Sequence, residues 1–209
     1  MINNTHFDSA EENMRYDDQL IADLSEGKRE SFFRFYRWQN RGITQSEKRD
    51  IPKDFSHIDH AYRVTGGGVV FHCPGDIVFS AGIPENYGSV PTRLKERCLW
   101  FSTLIKNSLN ANGIPVTLAG DQDTSGQNIQ FCNSYHNPYE CVLEGEKICG
   151  VALKKTRGYT VFQGVIHLND TQKHFMDCEE KFGLFFTKGV MDDQEISLKA
   201  LCQSLKQLF

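Results

Sequence analysis

Met14, Leu20, Ile21 and Leu24 recur at roughly helical spacing behind Ser9 and Glu12, which stand three residues apart as a capping box. The spacing predicts a first helix from Ser9 to the stop at Gly27. Phe33, Phe35, Tyr36 and Trp38, interrupted by Arg34 and Arg37, predict a strand over residues 32–38. Residues 69–71 and 77–83 are short β-rich runs joined by His72-Cys73-Pro74-Gly75-Asp76, which predicts a hairpin or two consecutive strands. Leu94, Cys98, Phe101, Ile105 and Leu109 mark one face of a long helix over residues 91–110, ended by Asn112 and Gly113 and expected to pack on a sheet. Residues 120–128 are polar and predict a loop; residues 139–143, 147–153 and 159–168 predict three strands, the first two joined through Glu144 and Gly145. Leu198, Leu201, Cys202, Leu205 and Leu208 predict a short C-terminal helix. Strands outnumber helices without alternating with them, so the class expected is α+β.

The 209 residues show no internal repeat and no linker-like tract. The organisation expected is a polar N-terminal tail over residues 1–10, then one domain over residues 11–209 with a short helical extension at its end. With no apolar run of eighteen residues and no basic start followed by an apolar stretch, neither a membrane span nor a secretory signal is expected. Lys plus Arg number 23 against 27 Asp plus Glu, which argues against a bulk electrostatic grip on nucleic acid. Seven cysteines, an odd number, leave at least one thiol unpaired within a monomer and point to a reducing, cytoplasmic setting.

Three segments carry candidate chemistry. In Arg63-Val64-Thr65-Gly66-Gly67-Gly68-Val69-Val70-Phe71-His72, three successive glycines let backbone N–H groups approach an anion or a linear ligand, with Arg63 supplying charge beside them. A turn between strands is the plainer role for such a run. No Lys followed by Ser or Thr closes it as a phosphate loop, and no helix pattern follows it as in a dinucleotide fingerprint. Cys132 follows a polar loop and precedes a strand, a place where a thiol is partly exposed and a nearby cation favours thiolate. Lys147 opens an apolar strand, from which its ammonium can reach a carbonyl or phosphate oxygen, and Gly150 within that strand marks a close approach. Lys154, Lys155 and Arg157 form a basic turn. His72 with Cys73 and Cys132 with His136 are loose pairs without complementary partners at zinc spacing, so no protein-bound metal is expected.

In order, these segments resemble the catalytic domain shared by lipoate-protein ligases, octanoyltransferases and biotin-protein ligases. The resemblance runs from Tyr36-Arg37-Trp38 and Gln45 through the glycine run and Pro74-Gly75-Asp76. It continues in Gly145-Glu146-Lys147-Ile148-Cys149-Gly150-Val151-Ala152 and Gln163-Gly164-Val165-Ile166. It implies a mixed, mostly antiparallel sheet flanked by helices. The stretch from Cys132 through Tyr139-Glu140 to Lys147 is most similar to the cysteine-dependent octanoyltransferases. The resemblance implies that Cys132 takes an acyl chain from acyl carrier protein as a thioester and passes it to a lysine of a lipoyl domain. Such domains belong to 2-oxo acid dehydrogenases or the glycine cleavage protein.

Lys147 would be catalytic alongside Cys132, and Arg63, Thr65, Gly66, Gly67, Gly68, His72, Gly150 and Ala152 would bind substrate. A transferase of this kind requires no cofactor. The enzymatic alternative is an ATP-dependent lipoate ligase, using ATP and Mg2+ to form a lipoyl-adenylate with Cys132 incidental. A third alternative is a non-catalytic module that binds an acyl group or a lipoyl domain. About forty residues remain after residue 170, too few for a further core. The chain departs from the family pattern at Tyr62, where an arginine is common, at Cys73 in place of Asp, and at Gln163 where His usually precedes Gly.

Overall fold

The computed structural model describes residues 2–3, 5–47, 49–51, 53–88, 90–120, 132, 137–156, 158–178, 200 and 203. Among them the chain order is β1 (Ile2–Asn3), α1 (Ala10–Ser25), β2 (Phe32–Arg37), β3 (Gly42–Ser46), β4 (Asp59–Arg63), β5 (Val70–His72) and β6 (Ile77–Pro84). It continues with α2 (Leu94–Ala111), β7 (Thr117–Leu118), β8 (Cys141–Leu143), β9 (Glu146–Lys155), β10 (Tyr159–Ile166) and α3 (Thr171–His174). A seven-stranded sheet has the order β1-β2-β6-β10-β9-β8-β7, and a three-stranded sheet the order β4-β3-β5. Only β1 with β2 and β3 with β4 are parallel, so the α+β class and its mostly antiparallel sheet are as expected.

Local chemistry accounts for α1. The Ser9 hydroxyl accepts a hydrogen bond from the Glu12 backbone N–H at 3.2 Å and donates to the Glu12 carboxylate at 2.8 Å, closing the helix start. The helix buries Met14, Leu20 and Leu24 together with two polar residues, Asn13 and Asp17. Strand β6 is buried on both faces, which is why its sequence reads as a continuous run. Ile77, Phe79, Ala81 and Ile83 join the core under α2, while Val78 packs with Met14 on the opposite side. On the α2 side the Phe101 ring stacks on Phe162, centroids 4.2 Å apart. At Gly164 an added Cβ would collide with the Phe79 ring and the Gly150 carbonyl oxygen, so glycine is what lets β10 lie this close to its neighbours.

Several elements differ from the sequence expectation. The runs around 69–71 and 77–83 form no hairpin: β5 pairs with β3 in the small sheet, and β6 pairs with β2 and β10 in the large one. The chain does turn between them, with Gly75 at φ +90° and the Asp76 carboxylate accepting from the Cys73 N–H at 2.9 Å. Strands β3 and β4 had no predicted counterpart, because Thr44, Gln45, Ser46 and Arg63 are polar yet buried. Where a polar tail was expected, Ile2 and Asn3 pair with Phe33 and Arg34. The strand expected from Tyr139 begins at Cys141. Residues 121–128 of the predicted loop, and Leu198, Leu201, Cys202, Leu205 and Leu208 of the predicted C-terminal helix, lie outside the described residues.

Candidate active site

Between the small sheet, α1 and the inner face of the large sheet lies a cavity of about 300 Å³. Cys132, Lys147, Arg63, Gly66 and Gly67 line it, as do His72, Gly150 and Ala152. Thr65 and Gly68, the other two expected site residues, act through neighbours. The Thr65 hydroxyl donates to the Gln163 side-chain oxygen at 2.9 Å, and the Gly68 N–H donates to the Cys132 sulfur at 3.1 Å.

The glycine run is shaped by Arg63 at the end of β4. Its guanidinium is almost wholly buried and donates to the carbonyls of Gly66 at 2.9 Å, Gly68 at 2.8 Å and Thr44 at 2.8 Å. Arg63 therefore gathers the loop carbonyls to itself, while the Gly68 N–H points at the thiol. Gly67 sits at φ +102°, and a Cβ there would lie 3.1 Å from the Arg63 guanidinium and 3.3 Å from the Cys132 sulfur. Only glycine satisfies both the backbone angle and the space. The Cys132 N–H in turn donates to the Val69 carbonyl at 2.8 Å, so loop and cysteine hold each other.

Lys147 enters from the start of β9. Its ammonium donates to the Cys132 carbonyl oxygen at 2.5 Å and to the Glu140 carboxylate at 2.6 Å. The other Glu140 oxygen accepts the Asn137 N–H at 2.9 Å. Both side chains of this ion pair are nearly inaccessible, at 3% and 6% exposed. Burial holds the Glu140 carboxyl above the usual carboxylate range, and Lys147 is the strongest influence pulling it back. Gly150 leaves room for the pair, since a Cβ there would stand 3.3 Å from Lys147 Cε and 3.4 Å from Glu140 Oε1.

Two histidines complete the wall. His72 stacks on Trp38 with centroids 4.3 Å apart, and its Nε2 lies 2.8 Å from the Thr44 hydroxyl. Burial, with His167 and Arg63 adding to it, pushes His72 well below the ordinary imidazole range, so the ring is neutral at pH 7. His167 Nδ1 lies 3.0 Å from the Asp76 carboxylate. Sequence reasoning assigned no role to Glu140 or to His167. The available signals were a carboxylate and a lysine flanking one tight turn, and a lone histidine ending a strand. Lys154 and Lys155 of the basic turn bond Glu47 at 2.8 Å and Glu85 at 3.2 Å, and Arg157 lies outside the described residues. No cluster of three or more His, Cys, Asp or Glu able to hold a metal ion occurs among the described residues. Among them, no helix is long and apolar enough to cross a membrane.

The arrangement offers one thiol a backbone donor and an open cavity, which suits nucleophilic attack on an acyl carbon. Other thiols are held differently. Burial pushes Cys73 far above the ordinary thiol range and Cys98 up to about 11, with Glu140 adding to the second. Cys149 is raised by its hydrogen bond with Cys141 and by burial. Cys98 is therefore held mostly as the thiol at pH 8, although that residue is partly exposed. Brief iodoacetamide treatment at pH 8 followed by peptide mapping is therefore expected to alkylate Cys132 well before Cys73, Cys98 or Cys149. Labelling of Cys98 at the rate of Cys132 would contradict this ranking.

A family model described as the lipoyl protein ligase A/B catalytic domain matches residues 9–208. Octanoyltransferase LipM of Exiguobacterium sp. is 25% identical over 187 residues, covering 83% of this chain and 67% of that protein. The chain spans about two thirds, 64–67%, of the length of this relative and of two others of the same name, from Exiguobacterium sibiricum and Lysinibacillus sphaericus. Among solved structures, lipoate-protein ligase A bound with ATP superposes with a TM-score of 0.64 at 18% identity, covering 99% of this chain and 83% of that one. A bi-partite lipoate protein ligase from Thermoplasma acidophilum, studied with its E2 lipoyl domain, superposes with a TM-score of 0.59 at 16% identity, covering 99% and 80%. At these identities the structures show a shared fold.

Proposed function

This chain belongs to the lipoyl protein ligase A/B catalytic domain family, and from that premise we propose that it transfers an octanoyl group from acyl carrier protein to a lysine of a lipoyl domain through a thioester on Cys132. The observation that carries the reading is the position of the Cys132 sulfur, which lines the cavity and lies 3.1 Å from the Gly68 N–H. The octanoyltransferase name of the sequence relatives supports the same reaction.

In the first step the Cys132 thiolate attacks the donor carbonyl. A carbon–sulfur bond forms to Cys132, the bond to the carrier sulfur breaks, and the carrier thiolate leaves and takes up a proton. In the second step the neutral amine of the acceptor lysine attacks the Cys132 thioester. A carbon–nitrogen bond forms, Cys132 departs as thiolate, and the proton lost from nitrogen returns to sulfur. Lys147 fixes the Cys132 backbone through its carbonyl, and Glu140 fixes Lys147. Arg63 fixes the glycine loop that presents the Gly68 N–H. Burying an eight-carbon chain at about 0.8 kcal/mol per CH2 contributes about 5 kcal/mol before ordering costs. A cavity of about 300 Å³ suits one such narrow chain.

The reaction places the protein in the cytoplasm with its carrier-bound donor, and its acceptors are the lipoyl domains of 2-oxo acid dehydrogenases or the glycine cleavage protein. The test offers the protein a lipoyl domain with octanoyl-acyl carrier protein in one arm and with lipoate, ATP and Mg2+ in the other. Modified lysine is expected in the first arm without nucleotide. Modification only in the second arm would make this chain an ATP-dependent ligase, and modification in neither, with the lipoyl domain still bound, would make it a binding module.

A further inference from the structure

On its α1 side the cavity wall carries charge. Val165 on β10 faces Gly150 on β9, against which the Lys147 and Glu140 side chains pack, and Gln163 faces Ala152, two residues further along both strands. That step is about 6.6 Å along the strand, and the alternation of side chains keeps Gln163 on the same face as Val165. Gln163, Asp17 and Met14 all line the cavity.

The side-chain bonds fix Gln163 firmly. Its Nε2 donates to Asp17 Oδ2 at 2.8 Å, and its Oε1 accepts from the Thr65 hydroxyl at 2.9 Å. The amide can take only this orientation, because a carboxylate accepts and does not donate. Asp17 Oδ1 accepts from the Arg34 guanidinium at 2.7 Å and from the Ser80 hydroxyl at 2.8 Å. Asp17 and Arg34 are 1% and 0% exposed. Arg34 is itself anchored to the Thr5 carbonyl at 2.9 Å and the Asn13 side chain at 2.6 Å, and lies 3.8 Å over the Tyr36 ring. The wall thus ties α1, β2, β6 and β10 together, and shifting it means breaking charge-assisted bonds in a buried place.

We propose that Gln163, braced by Asp17 and Thr65 beside Met14, is the end stop for the acyl chain and sets the length the cavity accepts. The proposal rests on the acyl-transfer reading of the same cavity. An added pair of methylenes has to press on an amide and a carboxylate whose bonds are already assigned, so longer chains are refused while an eight-carbon chain is admitted.

The full-length protein and its Gln163→Ala and Met14→Ala variants are incubated with octanoyl-, decanoyl- and dodecanoyl-acyl carrier protein, and loading is read by intact mass. Gln163→Ala leaves Asp17 paired with Arg34, and Met14→Ala enlarges the same end without touching a side-chain bond of Asp17. The dodecanoyl-to-octanoyl loading ratio is expected to rise about tenfold in either variant. Octanoyl loading with the wild-type length order in both variants would overturn the end stop. Melting-temperature shifts with free octanoate, decanoate and dodecanoate read the cavity without chemistry. There the variants are again expected to favour longer acids, and an unchanged order overturns the end stop whether or not Cys132 is loaded. Absence of loading from every donor in the wild-type protein counts against the transferase, and the binding order then decides the end stop separately.

Discussion

Replacing Cys132 with serine is expected to cut octanoyl transfer to a lipoyl domain by about three orders of magnitude or more. A serine hydroxyl stays protonated where a thiol ionises, and this site presents a backbone N–H to the nucleophile. The fold should be spared, because the side chain is only partly buried and the backbone bond to Val69 remains. The denaturation midpoint is expected to shift by no more than about 0.5 kcal/mol, as for substitutions away from a packed core. Rates measured as octanoylated lipoyl domain formed per minute, alongside that midpoint, check both halves. A variant retaining more than about a tenth of wild-type turnover would remove Cys132 from the mechanism.

The second large effect concerns Lys147→Met. The substitution strands the Glu140 carboxyl in a buried place with the Asn137 N–H as its remaining bond among those described, and frees the Cys132 carbonyl from its ammonium. Breaking a buried pair from one side costs about 3–5 kcal/mol. The loss should depend on pH with a definite sign. Burial already raises the Glu140 carboxyl above its ordinary range, and removing Lys147 raises it further. Between the ordinary glutamate value and that raised value the folded protein holds a proton that the unfolded chain has released. Stability therefore falls as pH rises through this window, and the penalty is largest above the folded value and smallest near or below pH of about 4.5. Urea denaturation at pH 5 and pH 8 checks it: the variant should lose more at pH 8. Adding Glu140→Gln to Lys147→Met removes both charges and should flatten the pH dependence. A single variant whose stability tracks wild type across this range would show that the pair does not hold the site.

What was legible in the sequence was local. Ser9 and Glu12 cap α1 through atoms three residues apart, and Phe101, Ile105 and Leu109 of the expected α2 face are buried, whereas Leu94 is exposed and the first turn buries Arg97 instead. Cys132 and Lys147 could be singled out because their segments match a family pattern in order. The bracing residues were not visible, since their partners are remote in the chain. Asp17 meets Arg34, Ser80 and Gln163 only on folding, and His167 meets Asp76 in the same way. Strands β3 and β4 escaped prediction for a related reason. Beside Ile43 and Ala61, their buried positions hold Thr44, Gln45 and Arg63, whose hydrogen bonds take the place of apolar contacts. The turn at Pro74 and Gly75 was readable, but no local signal says that β5 and β6 part to different sheets. That is set by Asp76, whose carboxylate reaches from the turn to Cys73, His167 and Leu168.

Cys73 itself, one of the departures from the family pattern, is buried in the small-sheet core with Phe71 and Phe175. Its thiol is hydrogen-bonded to Thr171 there, and the bond that shapes the turn runs from the Cys73 N–H to the Asp76 carboxylate. Tyr62, another departure, is exposed on β4. Gln163, the third, is the departure that faces the cavity.

The central claim is that Cys132 carries the acyl group, and mass spectrometry of the intact protein after incubation with octanoyl-acyl carrier protein tests it most directly. One octanoyl adduct is expected, mapped to the Cys132 peptide, released by hydroxylamine, transferred on addition of a lipoyl domain, and absent from Cys132→Ser. Octanoylation of the lipoyl domain without any adduct, or an adduct that persists in Cys132→Ser, would contradict the account.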